Sequence, residues 1–191
     1  VNKKIIFSIL ILIIIIFISV FFYQDFNKKK KIKISNIYNS LISNYSKDNK
    51  TETTENLIKI IEKKNKTYSP LALYFIIDNS LIEDTQNINN LFDILIKDTD
   101  LNDEIKNLVI YKKALFNSDI TNENELLQIL KPIINSQSIW KSHALYLLAE
   151  YFFNKNEYQK AKDLFTQILE LENANFEIKI KSQKRLNRDL K

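Results

Sequence analysis

Ala144–Ile168 reads ALYLLAEYFFNKNEYQKAKDLFTQI, and the fold class turns on this stretch. Leu145, Leu148, Ala149 and Phe152 recur at three- and four-residue steps, which places them on one face of a helix. Asn154-Lys155-Asn156 then supplies a polar turn, and Tyr158, Ala161 and Phe165 mark one face of a second helix. Two amphipathic helices joined by so short a turn pair back on each other. Working outward, Ala144-Leu145-Tyr146 has an identical copy at Ala72-Leu73-Tyr74, with apolar Leu108-Val109-Ile110 midway. A recurrence near 36 residues is the mark of helical-hairpin repeats, each burying its apolar face only against its neighbours.

The rest of the chain reads the same way. Helices are expected from Ile34 to about Ser46, around Leu57–Ile61, from Ser69-Pro70 to about Ile82, and over Ile88–Ile96. Asn102-Asp103-Glu104 opens another, with acids at the positive helix end. Asn122 with Glu125 three residues on resembles a capping box, and Pro132 ends or kinks the helix that follows. Ile139–Phe153, Glu157–Leu171 and Asn175 to about Leu190 complete the set, while Ser46–Thr54 reads as a polar loop. No segment alternates with period two, so the expectation is an all-α domain over residues 34–191. The 191 residues contain no glycine, so turns needing positive φ must fall to Asn or Asp. Asn79, Asn102, Asn122, Asn154 and Asn156 stand where such turns are expected.

Ahead of this domain, Ile5–Tyr23 reads IIFSILILIIIIFISVFFY, without a charge. At about 1.5 Å per residue its nineteen positions match the apolar thickness of a bilayer, so a transmembrane helix is expected over 5–23. The expected organisation is a tail over 1–4, the anchor, a basic juxtamembrane segment over 24–33, and the helical domain. The bulky exit Ser19-Val20-Phe21-Phe22-Tyr23 lacks the small residues of a cleavage site, which favours a retained anchor. Two Lys precede the run and five follow it, counting Lys33. That count favours a cytoplasmic domain.

Charge is unevenly spread. Residues 1–33 hold seven Lys and one Asp, a net +6, whereas the remaining 21 basic and 22 acidic residues sum to −1. A near-neutral domain lacks the basic footprint of a nucleic-acid binder, so no nucleic acid is expected as partner. The basic block is read as a contact for lipid headgroups. Lys and Asn are inflated by a composition of the kind A/T-rich coding gives, which lowers the information in each.

Chemistry is constrained by what is missing. Without glycine there is no Walker A loop, dinucleotide fingerprint or nucleophile elbow. Without cysteine there is no thiol catalysis or Cys-based zinc site, and one histidine, His143, makes no His-pair metal site. The expectation is a non-enzyme with no cofactor, metal or small-molecule ligand.

The Ala144–Ile168 pattern resembles a tetratricopeptide repeat (TPR). In that motif a small residue, here Ala149, lets two helices approach, and an Ala-x-x-x-Phe pair, here Ala161 and Phe165, packs the second onto the first. Leu145, Leu148, Phe152 and Tyr158 complete the packing set. Ile168 departs from the usual small residue, and Asn173 from the usual proline. The match places His143, Tyr146, Glu150, Phe153 and Asn154 on the inward-curving face that contacts protein ligands in such arrays. A plain packing role for Tyr146 and Phe153 competes with this reading. Glu150 would repel a peptide carboxylate at that position. Trp140 is read as joining repeats.

Over nearly the whole length, the anchor, Tyr38-Asn39, Asn65-Lys66-Thr67-Tyr68, Asp103-Glu104-Ile105-Lys106 and Ile139-Trp140 resemble the ancillary subunits of the bacterial Sec translocon. That resemblance implies a single-pass inner-membrane protein with a periplasmic TPR-like domain, against the lysine count. It also implies an interaction scaffold that contacts translocon subunits, periplasmic chaperones or exported clients. The alternatives are a TPR scaffold for envelope assembly or cell division, and a membrane-tethered hydrolase.

Overall fold

The computed structural model describes residues 3–190, with the side chains of 3–11, 13 and 27 left aside. All of its regular secondary structure is helical. In chain order the helices are α1 (Lys3–Ser43), α2 (Lys50–Glu62), α3 (Tyr68–Asp78), α4 (Thr85–Asp93), α5 (Asp103–Asn117), α6 (Glu123–Ile134), α7 (Lys141–Asn154), α8 (Tyr158–Glu170) and α9 (Phe176–Arg188). A 3-10 turn, Lys47–Asn49, leads into α2, and a π turn, Ile94–Asp98, extends α4. Residues 50–54, expected in a loop, are therefore helical. Thr53 and Thr54 are buried there, and Thr54 returns its hydroxyl to the Lys50 carbonyl at 2.7 Å.

The anchor expected over 5–23 is corrected. Among the described residues no helix is long and apolar enough to cross a membrane. The side chains of 5–11 and 13 lie outside those described. The single-pass architecture, the inner-membrane location and the periplasmic placement that rested on the anchor fall with it. Nor does the backbone divide where the segments were drawn, because α1 runs through the expected boundaries at 23 and 33. Its Phe17, Phe21, Phe22 and Phe26 are exposed, and among the described residues Ile34 is the first to join a core cluster.

Behind α1 the helices recur. α2, α4, α6 and α8 begin at 50, 85, 123 and 158, and α3, α5, α7 and α9 begin at 68, 103, 141 and 176. Both series step by 35, 38 and 35 residues. The middle copy lies one residue later than equal division puts it. Val109 and Ile110 are buried, as are Ala72 and Leu73, and Ala144 and Leu145, while Leu108 is only half-buried.

Burial follows the chain order. One cluster runs from Tyr38 through Leu57, Leu73 and Phe92 to Val109, and a second from Ile110 through Leu130, Leu148 and Phe165 to Leu190. The boundary falls between adjacent residues of α5, which gives one face to each cluster. Core is thus shared between sequence neighbours rather than gathered at one centre.

Polar contacts between successive units recur at a nearby interval, 33 or 34 residues. Tyr68 donates its hydroxyl to Ser35 at 2.7 Å, and Ser138 to Glu104 at 2.8 Å. The Asn175 backbone amide donates to the Ser142 hydroxyl at 3.2 Å. Lys64 pairs with Asp98, and Lys66 with Asp100. A reciprocal amide pair ties α4 to α5: Asn89 donates to Asn117 at 2.9 Å, and Asn117 donates back at 2.8 Å.

Helix ends explain the turns. The side chains of Asn102, Asn122 and Asn175 accept backbone N–H bonds from Ile105, Glu125 and Ile178, as N-caps do. Ser69 does not cap α3. Asn65 accepts from the N–H groups of Thr67 and Tyr68, while Ser69 is buried and donates to the Ile60 carbonyl at 2.8 Å. Pro70 sits in the first turn, where a missing N–H costs nothing. Pro132 lies within the last turn of α6. Positive φ occurs, among the described residues, at Lys64 (52°), Ser80 (49°) and Asn156 (62°). Of the five asparagines expected in such turns only Asn156 adopts one; Asn102 and Asn122 are extended caps instead.

Candidate functional site: the exposed side of α7 and its neighbours

Helix α7 carries all five candidate binding residues. Its opposite face is fixed by Ala144, Leu145, Leu148, Ala149 and Phe152, each under 5% exposed. Ala161, Phe165 and Ile168 of α8 are fully buried against it, while Tyr158 is 48% exposed. Tyr158 instead donates its hydroxyl to Asn156 at 2.8 Å and sets its ring edge-on to Phe153 at 5.3 Å. With no side-chain atom beyond the β-carbon, Ala149 and Ala161 let α7 and α8 approach closely.

The candidate residues divide into three environments. His143 lies beside Trp140 and Tyr111, with ring centroids 5.1 and 5.8 Å away. Trp140 stacks on Tyr111 at 6.0 Å, so this aromatic group joins α5 to α7. Burial lowers the His143 pKa, with the Ile139 carbonyl opposing, and its Nδ1 has no hydrogen-bond partner among the described residues. A neutral imidazole packed among rings is suited to a joint.

Tyr146, Glu150 and Phe153 meet α9. Tyr146 sets its ring edge-on to Phe165 at 5.5 Å, and burial, aided by the nearby Glu150 carboxylate, raises its pKa to about 12. Arg185 grips Glu150 with two guanidinium nitrogens, Nε lying 2.8 Å from Oε1. The same guanidinium lies over the Phe153 ring at 4.4 Å and donates to Asp189 at 2.8 Å. Arg185 is held well above the usual range, first by the Glu150 hydrogen bond. Bidentate Arg–carboxylate pairing with ring stacking is among the stronger polar arrangements. Glu150 is thereby neutralised, and Tyr146 and Phe153 are partly covered by the chain's own last helix.

Asn154 remains exposed. With Glu150 it lines a polar cleft of about 180 Å³ whose other walls include Ser118, Asp119, Leu147 and Lys155. This volume suits one partner side chain rather than a cofactor. Ser118 and Asp119 follow α5 and escaped the sequence reading, because nothing in a post-helix turn marks it as a wall. Arg185 was findable: it follows Glu150 by 35 residues, the repeat interval.

A further regularity appears once the middle copy is shifted by one residue. Tyr38, Tyr74, Tyr111 and Tyr146 occupy one position in four alternate helices, α1, α3, α5 and α7, separated by 36, 37 and 35 residues. Burial raises the pKa of all four, Tyr74 to about 12. The Tyr74 hydroxyl is buried without a partner among the described residues, and Lys112 lies 4.6 Å from its ring.

Among the described residues, no group of three or more His, Asp or Glu stands close enough to hold a metal ion. Comparison with protein-family models, curated proteins and solved structures finds no match to this chain.

Proposed function

We propose that this chain is an interaction scaffold of TPR-like helical hairpins that binds other polypeptides and performs no chemistry of its own. One observation carries the reading: two interleaved helix series step by 35, 38 and 35 residues, with polar contacts between units at the nearby separations of 33, 34 and 35. Stacked hairpins contact only their neighbours, and so present a long continuous surface to a partner rather than an enclosed cavity. The small cleft between the end of α5 and α7 fits the same mode, accepting one side chain of a polypeptide laid across the repeats.

The translocon as partner rests on the resemblance of Tyr38-Asn39, Asn65–Tyr68, Asp103–Lys106 and Ile139-Trp140 alone. Crosslinking in cells followed by affinity capture of the full chain is the experiment. Recovery of Sec channel subunits, reduced at least several-fold by Asp119→Arg or Asn154→Arg, is the expected result. Their absence from the capture removes the translocon assignment, and recovery indifferent to both substitutions moves the contact away from the cleft.

A further inference from the structure

A cleft lies between the second half of α1 and the α2–α3 turn. It encloses about 680 Å³ and is lined by Lys30, Lys31 and Lys33 on one side and Lys63, Lys64 and Lys66 on the other. Only two of these six ammonium groups meet a carboxylate among the described residues, Lys64 with Asp98 and Lys66 with Asp100. Lys30, Lys31, Lys33 and Lys63 meet none.

Such a gathering is unfavourable without a counter-charge. Like charges brought together by folding repel, and Lys30, Lys31 and Lys33 belong to neither core cluster. The turn opposite is held in shape at some expense. Lys64 takes φ 52°, a conformation unfavourable to a residue with a β-carbon. Asn65 locks it there by accepting from the N–H groups of Thr67 and Tyr68 at 3.0 and 2.9 Å. The turn therefore delivers Lys63, Lys64 and Lys66 to the cleft from a fixed backbone.

We infer that this cleft is an anion site for a ligand carrying two or more phosphate groups. Lysine binds phosphate as a point charge, without the planar geometry a carboxylate pair demands of arginine. Four uncompensated ammonium groups exceed what one phosphate neutralises, and the volume falls in the range of small-molecule sites rather than that of a single ion. The remainder of the domain is near neutral, so the field is local to this cleft and not a general polyanion surface. A free oligophosphate and the clustered headgroups of an anionic lipid surface share this chemistry.

The test uses the full chain with tripolyphosphate as probe, measured by calorimetry at two salt concentrations. Saturable binding is expected, weakened by added salt as charge neutralisation requires. Lys30→Glu with Lys63→Glu should reduce affinity at least tenfold, and so should the milder pair Lys31→Gln with Lys33→Gln. Lys162→Glu, on exposed α8, should leave it unchanged. A parallel arm compares vesicles of phosphatidylcholine alone with vesicles containing phosphatidylglycerol. Cleft-dependent binding to tripolyphosphate assigns a free anion, and cleft-dependent preference for phosphatidylglycerol alone assigns a headgroup. No binding in either arm, or binding indifferent to both lysine pairs in variants of native helix content, overturns the site.

Discussion

Ala149 and Ala161 are fully buried where α7 meets α8, so each is a place where a methyl group is all the space admits. Ala149→Leu or Ala161→Leu should each cost about 1–3 kcal/mol through overpacking. Thermal melts that leave both variants at the parental midpoint would contradict the close contact. Asp93 offers a different kind of residue-level test. Burial opposes its ionisation, but hydrogen bonds from Lys113 at 2.6 Å and Lys97 at 3.2 Å hold its carboxyl below the usual range. A carboxylate with a depressed folded pKa stabilises fully above the unfolded value, and loses that contribution as pH falls through the folded one. Asp93→Asn should therefore be less stable than the parent at pH 7, with the gap narrowing at an acid pH below the usual carboxylate range. Urea titrations at the two pH values check this, and a gap of equal size at both would remove the ion pair from consideration.

Caps and turns, more than propensity, place the helices. Asn122 accepts the Glu125 N–H at 3.0 Å, and the Glu125 carboxylate receives the Thr121 hydroxyl instead of closing the box. Asn122→Ala should cost about 0.5–2 kcal/mol, read as a lowered urea midpoint, while Asn122→Asp should be nearly neutral. The turn after α3 makes the opposite case. Ser80 holds φ 49° in a chain without glycine, and its carbonyl accepts the Lys50 ammonium at 2.9 Å. Ser80→Gly relieves the β-carbon clash but adds freedom to the unfolded chain, so a net gain of up to about 1 kcal/mol is expected. A loss in place of that gain would mean the left-handed conformation is not held in solution.

Across the molecule, stability should reside in residues 34–190, since among the described residues no side chain before Ile34 joins either core cluster. Removing residues 1–27 should leave the thermal midpoint unchanged within about 1 °C, an expectation that follows from the near-zero effect of substitutions away from packed features. A large drop would place α1's exposed apolar half in a contact absent from the isolated chain. Removing α9, by contrast, should uncover Glu150 and Phe153 together and strip Ile178 and Leu190 from the second cluster.

Helix type, the repeat interval and most of the core positions could be read from residue order, because amphipathic periodicity and Asn caps are local signals. So could the row at Tyr38, Tyr74, Tyr111 and Tyr146, once the middle copy is moved by one place. The loop assigned to residues 50–54 failed for a local reason, since buried threonines can return their hydroxyls to the helix backbone and need not break it. Other features depended on contacts distant in sequence. Arg185 reaches back 35 residues to neutralise Glu150 and cover Phe153, turning two candidate binding residues into part of an internal joint. Likewise, two lysine runs 30 residues apart face one another only because α1 lies beside the α2–α3 turn. Periodicity reports which way a side chain faces along its own helix; it carries no record of the helix that comes to lie opposite.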